Sequence, residues 1–297
     1  MPASVRTPRR RATAVAVRDA TPNDARECGR IFYDAFESIA TRHSLPIEPP
    51  SRDFADFKVA EMIAHDGFAA VVAERDGEIL GSAFVDERAV VAGIGPVTVD
   101  PGAQDEGVGT ELMRAVLQRE RERGTAGVRL VQTAYHYRSL ALYAGLGFIV
   151  REPLSVLQGP PVSLRTPGRE VRPATDADLA GCNELCVRVH GHDRSLELRD
   201  AILAGTARVA ERPDGISGYA TGLGYGWHAV AETNEDLTAL LASADAFMGL
   251  GILVPSRNAE LLRWCLAHGL RIVQQSTLMT IGLYNDPAGP YLPSIVF

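Results

Sequence analysis

The run Val97-Thr98-Val99-Asp100-Pro101-Gly102-Ala103-Gln104-Asp105-Glu106-Gly107-Val108-Gly109-Thr110 holds the residue types with the most chemistry in them. An alternating apolar strand ends at a proline, a loop with two glycines follows, and an amphipathic helix begins. The first N–H groups of a helix have no intrahelical acceptor. They point one way with the positive end of the helix dipole behind them, which suits a phosphate. Gly107 and Gly109 carry no Cβ, so a phosphate oxygen could approach their main chain closely. The stretch therefore reads as a pyrophosphate cradle or, more plainly, as a strand-to-helix turn with glycines for geometry. Its spacing is neither G-x-x-x-x-G-K-[ST] nor G-x-G-x-x-G, which disfavours nucleoside triphosphate and dinucleotide sites. Asp105 and Glu106 do not help an anion, so their side chains are expected to point outward, solvated, while their N–H groups point in.

A second stretch, Arg138-Ser139-Leu140-Ala141-Leu142-Tyr143-Ala144-Gly145-Leu146-Gly147-Phe148, puts a tyrosine on a helix that runs into a strand. A phenol near pKa 10 stays protonated at neutral pH and can serve as a proton or hydrogen-bond donor. Taken alone, Tyr143 reads better as a core aromatic. Together, the Q-x-x-G-x-G spacing of residues 104–109 and the R-S-x-x-L-Y-x-x-x-G-F spacing of residues 138–148 resemble the GNAT acetyltransferase superfamily. The resemblance is firm over residues 15–157 and weaker beyond.

That resemblance implies acetyl-CoA as acyl donor, with no metal. It implies that Gln104, Asp105, Glu106, Gly107, Val108, Gly109 and Thr110 hold the pyrophosphate through their main chain. The main chain of Val97, Thr98 and Val99 would bond the pantetheine arm, with one N–H polarising the thioester carbonyl. Tyr143 would be the general acid. Gly93, Gly95 and Pro96 are poor strand formers, as expected where a strand bulges or lets a ligand approach. His136 stands where the family usually has an asparagine near CoA. It could donate to the cofactor, take part in proton transfer, or pack against the adenine end. Tyr135 and Tyr137 beside it could wall a pocket. Arg138 could meet a phosphate through its guanidinium fork, or be an exposed helix residue. For a base, Asp86 and Glu87 are nearest by sequence; a solvated turn with a water relay is the alternative.

These residues need a scaffold. A strand is expected near 15–19, helices near 22–40 and 52–65, and strands near 69–75, 78–86 and 90–100. Then come a helix near 107–123, a strand near 127–133, a helix near 137–145 and a strand near 148–157. This is an α/β class with a central mixed sheet flanked by helices. The pattern repeats. Val17-Arg18-Asp19-Ala20-Thr21 recurs as Val171-Arg172-Pro173-Ala174-Thr175, each a strand running into a threonine cap with aspartate three residues later. Val72-Ala73-Glu74-Arg75-Asp76-Gly77 recurs as Val209-Ala210-Glu211-Arg212-Pro213-Asp214-Gly215. The reading is two tandem domains: a basic arm over 1–14, a catalytic domain over 15–157, a Gly/Pro-rich linker over 158–170 and a shortened copy over 171–297. The copy has no Q-x-x-G-x-G before its expected helix at 235–247, and Cys265 stands where Tyr143 does, so it reads as a degenerate fold partner.

The net charge of −7 over 297 residues argues against a general nucleic-acid binder. No apolar run approaches membrane-spanning length. Cys28, Cys182, Cys186 and Cys265 form no C-x-x-C pair, which fits reduced thiols in a cytoplasmic protein. His190-Gly191-His192 reads as a helix end. Phe32, Tyr33, Phe36, His43 and the Pro-rich loop 44–50 are candidates for an acceptor surface or for plain core and connector. The expected partners are a CoA thioester and a small-molecule amine, in a monomer built as a pseudo-dimer or in a homodimer. A protein or peptide N-acetyltransferase, or a silent acyl-CoA-binding sensor or scaffold, are the alternatives.

Overall fold

The computed structural model describes residues 14–295; all but the last residue of the basic arm lies outside them. The first half runs β1 (Ala16–Asp19), α1 (Ala25–His43), α2 (Arg52–Ala64), β2 (Phe68–Arg75), β3 (Glu78–Asp86), β4 (Val91–Val99), α3 (Val108–Arg123), β5 (Gly127–Thr133), α4 (Tyr137–Gly145) and β6 (Ile149–Gln158). The second runs β7 (Glu170–Pro173), α5 (Leu179–His190), α6 (Ser195–Leu203), β8 (Arg208–Arg212), β9 (Gly215–Ala220), β10 (Ala229–Ala231), α7 (Asn234–Ala242), β11 (Ile252–Pro255), α8 (Ala259–Ala267), β12 (Arg271–Gly282) and β13 (Tyr291–Leu292).

Side-chain alternation places helices on both faces of the first sheet. Val71 and Ala73 of β2, with Ala83 and Val85 of β3, pack on Leu112, Met113 and Val116 of α3. Their neighbours Val72 and Phe84 face the other way, onto Cys28 of α1 and Val59 and Met62 of α2. This is the period-two pattern of a sheet covered on both sides. The mixed α/β architecture expected from the sequence is the one adopted.

Strand order joins the halves in a way that local pattern does not reveal. One sheet runs β1-β2-β3-β4-β5-β12-β6-β11 and the other β13-β10-β9-β8-β7. The long β12, late in the chain, lies between β5 and β6. It pairs antiparallel with both: Ser276 sits opposite Thr133 and also opposite Leu154. β6 then pairs on its other edge with β11. The first sheet is thus completed by strands from beyond the 158–170 segment.

The repeated sequence produces a repeated network. In the first half Arg18 donates to Asp24 and Glu74, and Asp24 also accepts from the N–H and hydroxyl of Thr21. In the second, Arg172 does the same with Asp178 and Glu211, and Thr175 takes the part of Thr21. The arginine hydrogen bonds hold both aspartates well below the usual carboxylate range, against the opposing effect of burial.

One boundary differs. The helix expected over 235–247 is α7, which ends at Ala242. Ser243 turns its hydroxyl back to Leu240 O at 2.7 Å, and the chain then folds so that Met248 N–H reaches Leu223 O. The four cysteines are buried and free. Among the described residues no helix is long and apolar enough to cross a membrane.

Candidate functional site

β4 and β5 pair in parallel only where Val91, Ala92 and Gly93 meet Gly127, Val128 and Arg129. Beyond that rung β5 continues along β12 to Thr133, while β4 continues along β3 to Val99. The two strands part above Gly93 and leave a wedge. β4 also bulges there: Ala83 faces Val97 and Val85 faces Ile94, so Gly95 and Pro96 together oppose Phe84. Asp100 N–H donates to Leu80 O at 2.8 Å. By the alternation of an antiparallel ladder, Thr98 then turns its main chain to β3, and Val97 and Val99 turn theirs into the wedge. The Thr98 side chain is buried against Ser82, 3.1 Å between hydroxyl oxygens.

The loop caps the wide end of this wedge. Asp100 accepts from Gly102 N–H at 2.8 Å and fixes the first turn. Asp105 and Gly107 then take left-handed conformations, φ 68° and 86°, which aim the chain into α3. Among the described residues the N–H groups of residues 104–109 donate to no protein acceptor, whereas those of Thr110 and Glu111 return to Gly107 O. A Cβ on Gly107 would meet nothing within 4 Å; one on Gly109 would lie 3.5 Å from Leu142 and 3.6 Å from Val99. The helix start, the end of β4 and α4 therefore converge. Asp105 and Glu106 are exposed, as expected, but they are not merely solvated. Arg138 pairs with Asp105, and Arg75 with Glu106 at 2.6 Å. With both acids neutralised, the free N–H groups and the helix dipole fit a pyrophosphate.

Tyr143 is brought to the same place. It is half-buried among Val97, Val99 and Leu142, its ring 5.9 Å from that of Phe148. Its hydroxyl has no protein partner among the described residues, and burial pushes it up to about 12. His136 precedes α4, and its carbonyl accepts from the Gln132 and Ser139 side chains. Burial, then the Arg138 charge, lowers its imidazole below the ordinary value. Tyr135 stacks on His43 of α1 at 4.9 Å. Tyr137 is 74% exposed and walls nothing, because the first turn of α4 faces solvent.

Asp86 and Glu87 lie at the far end of β3 from the loop. Asp86, opposite Gly93, accepts from Arg88 at 2.9 Å, and Arg88 also reaches Asp200 of α6 at 2.7 Å. Glu87 accepts from Arg119 of α3 at 2.6 Å. Burial pushes the Glu87 carboxyl up, but the Arg119 hydrogen bonds and the Arg123 charge are among the effects that bring it below its ordinary value. On the expected acceptor surface, Phe32 and Phe36 make an edge-to-face pair at 5.3 Å and Tyr33 bonds Glu37. These are helix-packing contacts. Sequence reasoning named Glu48 only as part of the 44–50 loop; burial pushes its carboxyl up to about 6. Its only local signal is a carboxylate held between Pro46 and Pro49. No group of three or more metal-ligating side chains occurs among the described residues.

Comparison with known proteins agrees with this geometry. The chain superposes on a Pyrococcus horikoshii protein proposed to be an acetyltransferase, with a TM-score of 0.71 and 20% identity over 95% of this chain and 93% of that one. It also superposes on a GCN5-related N-acetyltransferase from Sphaerobacter thermophilus, with a TM-score of 0.58 and 16% identity over 92% and 96% of the two chains. The fold is thus that of the GNAT acetyltransferases. More particularly, residues 30–148, which span the wedge, the loop and Tyr143, match the model of the Acetyltransferase (GNAT) family. No curated protein matches the chain in sequence.

Proposed function

We propose that the protein is an N-acetyltransferase that moves acetyl from acetyl-CoA to a primary amine on a small molecule. The observation that carries this reading is the parting of β4 from β5 above Gly93, in line with the unpartnered N–H groups of residues 104–109 at the start of α3.

Acetyl-CoA bound in the wedge would supply an acetyl thioester. The loop N–H groups and the α3 dipole hold its pyrophosphate, and Arg138 and Arg75 keep Asp105 and Glu106 from repelling it. The main-chain groups of Val97 and Val99 align the pantetheine arm, and an N–H of β4 polarises the thioester carbonyl. The amine nitrogen forms the new C–N bond as the C–S bond breaks. Tyr143, as the general acid, donates its hydroxyl to the departing sulfur as a hydrogen bond; the nitrogen releases a proton to water, and the thiolate takes one back from solvent. Asp86 and Glu87 are engaged by Arg88 and Arg119 at the far end of β3, so a water relay takes the proton from nitrogen. His136, held neutral at pH 7, is free to offer one hydrogen bond beside the cofactor. The second half acts as the fold partner of the first.

Gly109→Trp tests the cradle. A Cβ at this position makes only ordinary contacts, so Gly109→Ala should fold and bind CoA. The indole, by contrast, projects where the pyrophosphate belongs. Titration calorimetry should show CoA binding lost in the tryptophan variant; unchanged affinity in a folded variant would sink the assignment.

A further inference from the structure

Glu48 is a carboxylate that the fold leaves without a counter-charge. It sits in the loop between α1 and α2, partly buried. Its carboxyl has no hydrogen bond or ion pair among the described residues. Burial alone pushes it up to about 6, so no neighbouring cation offsets the loss of water, and at neutral pH it still carries its charge. Other carboxylates around the wedge are engaged: Asp86 by Arg88, Asp100 by Arg30 and Asp105 by Arg138. A partly buried charge is costly unless it is paired. Glu48 is the one here whose counter-ion must come from outside the chain.

Its place relative to the wedge follows from strand register. From the rung of Gly93 and Arg129, four residues along each strand lead to Val97 on β4 and Thr133 on β5, which face each other across the wedge. On its other edge Thr133 sits opposite Ser276 of β12. Met279 and Ile281 of β12 pack toward α3, whereas Leu278 packs with Val131 and Tyr225 on the opposite face. Alternation turns Ser276 and Gln274 to that opposite face too. There the Tyr225 hydroxyl accepts from Gln274 Nε2 at 3.3 Å. The other end of the Tyr225 side chain lies at Gly249, where an added Cβ would be 3.1 Å from Tyr225 Cβ and 3.3 Å from a Glu48 carboxyl oxygen. Tyr135, just beyond β5, acts on the Tyr225 hydroxyl together with Glu48, and its ring rests on His43 at the end of α1. Two tyrosines thus stand between the Val97 level of the wedge and the carboxylate, on the face away from α3 and Tyr143.

We propose that Glu48 selects the acceptor, an aliphatic amine with a second positive charge several carbons from the nitrogen that is acetylated, as in an α,ω-diamine. The inference rests on the acetyltransferase reading and names its substrate class. β12 is the second strand from β4, about 10 Å away, and Glu48 lies at the end of the Tyr225 side chain that points away from β12. A nitrogen at the thioester beside Val97 is therefore not the group that meets Glu48; an ammonium at the far end of a carbon chain is. The chain lies along Tyr135 and Tyr225, whose ring faces also attract a cation. An amino acid would bring its carboxylate toward Glu48 and is disfavoured. Glu48 belongs to the first half and Tyr225 and Gly249 to the second, so both halves contribute to the choice of substrate.

The test uses the full chain. Thiol release from acetyl-CoA is measured with diaminobutane, diaminohexane and diaminooctane, each beside the monoamine of the same length. At least one diamine should exceed its monoamine roughly tenfold or more in kcat/KM, the span of a charged pair, with the difference in KM. Glu48→Gln should bring that ratio to about one, and CoA titration reports that the variant is folded. Monoamines as good as every diamine, or a preference that survives Glu48→Gln, overturn the proposal. So does an equal loss for monoamines and diamines in Glu48→Gln, which would place the residue at the reacting nitrogen or in the fold. A second readout needs no catalysis: the preferred diamine, or diaminooctane where no amine reacts, should raise the Tm of the wild type and not of Glu48→Gln. If no amine releases thiol, a Tm shift that depends on Glu48 upholds the cation site while the enzyme reading fails; its absence refutes the site.

Discussion

Tyr143→Phe isolates one oxygen atom. The hydroxyl makes no hydrogen bond among the described residues, while the ring lies beside that of Phe148 against the core that Val97 and Val99 also join. The variant keeps every ring contact, so its folding stability should match the wild type within about 0.5 kcal/mol. The effect on rate follows from the surroundings of the hydroxyl. Burial pushes it up to about 12. A departing thiolate has an ordinary pKa near 8.5. Complete proton transfer is then uphill by about 5 kcal/mol, at about 1.4 kcal/mol for each tenfold. The hydroxyl therefore works mainly as a hydrogen-bond donor to charge developing on sulfur. A hydrogen bond to a charged group contributes about 1.5–3 kcal/mol. On that scale kcat should fall roughly 10- to 200-fold.

The assay is thiol release at saturating amine, in conditions where added viscogen leaves the rate unchanged, so that chemistry limits it. The KM for acetyl-CoA should stay within about twofold, because the interaction appears only as the sulfur departs. Wild-type kcat under those conditions would remove Tyr143 from the mechanism. A raised KM with unchanged kcat would make it a ground-state contact instead.

Two other predictions concern regions away from the hydroxyl. Burial pushes the Glu48 carboxyl from its ordinary 4.5 up to about 6, so the folded state binds its proton more tightly than the unfolded one. Stability is then fully present below pH 4.5 and declines toward pH 6, by about 2 kcal/mol at most. Urea unfolding at pH 4.5, 6 and 7.5 should show Glu48→Gln lacking this decline and more stable than wild type at pH 7.5; parallel profiles would refute the assignment. Separately, calorimetric titration should find one CoA per chain, and two equivalent sites would overturn the asymmetry of the halves.

Much of the first half was legible because its signals are local. The alternation of β2 and β3 and the spacing of Val108, Leu112 and Val116 fix which faces are buried, and those faces bring the loop, Val99 and Tyr143 together. What the sequence hid is non-local. Period two says which side of a strand faces a core but not which strand lies beside it, so nothing near Arg271 or Gly282 announced that β12 would enter between β5 and β6. The same holds for charge. Glu106 finds Arg75 and Glu87 finds Arg119 only after the sheet forms, so carboxylates that read as solvated or available for proton transfer are in fact engaged. His190 was read correctly as a helix end. Its burial comes from β10 and β13, which lie far along the chain.

The exchange of strands ties the second half to the first. β12 pairs along both edges within the first sheet, so losing it would strip the partners from β5 and β6 together. The requirement falls on the strands and leaves the junctions between them free to change. The connection after β9 is filled by its own chain. Tyr225 N–H donates to Met248 O, and a Cβ on Gly224 would sit 2.6 Å from that same oxygen. β13 pairs with β10 on the edge that would border an opening toward β11. Where the first half parts two strands, the second pairs β10 with β13, and Ala231 N–H donates to Pro290 O beside it.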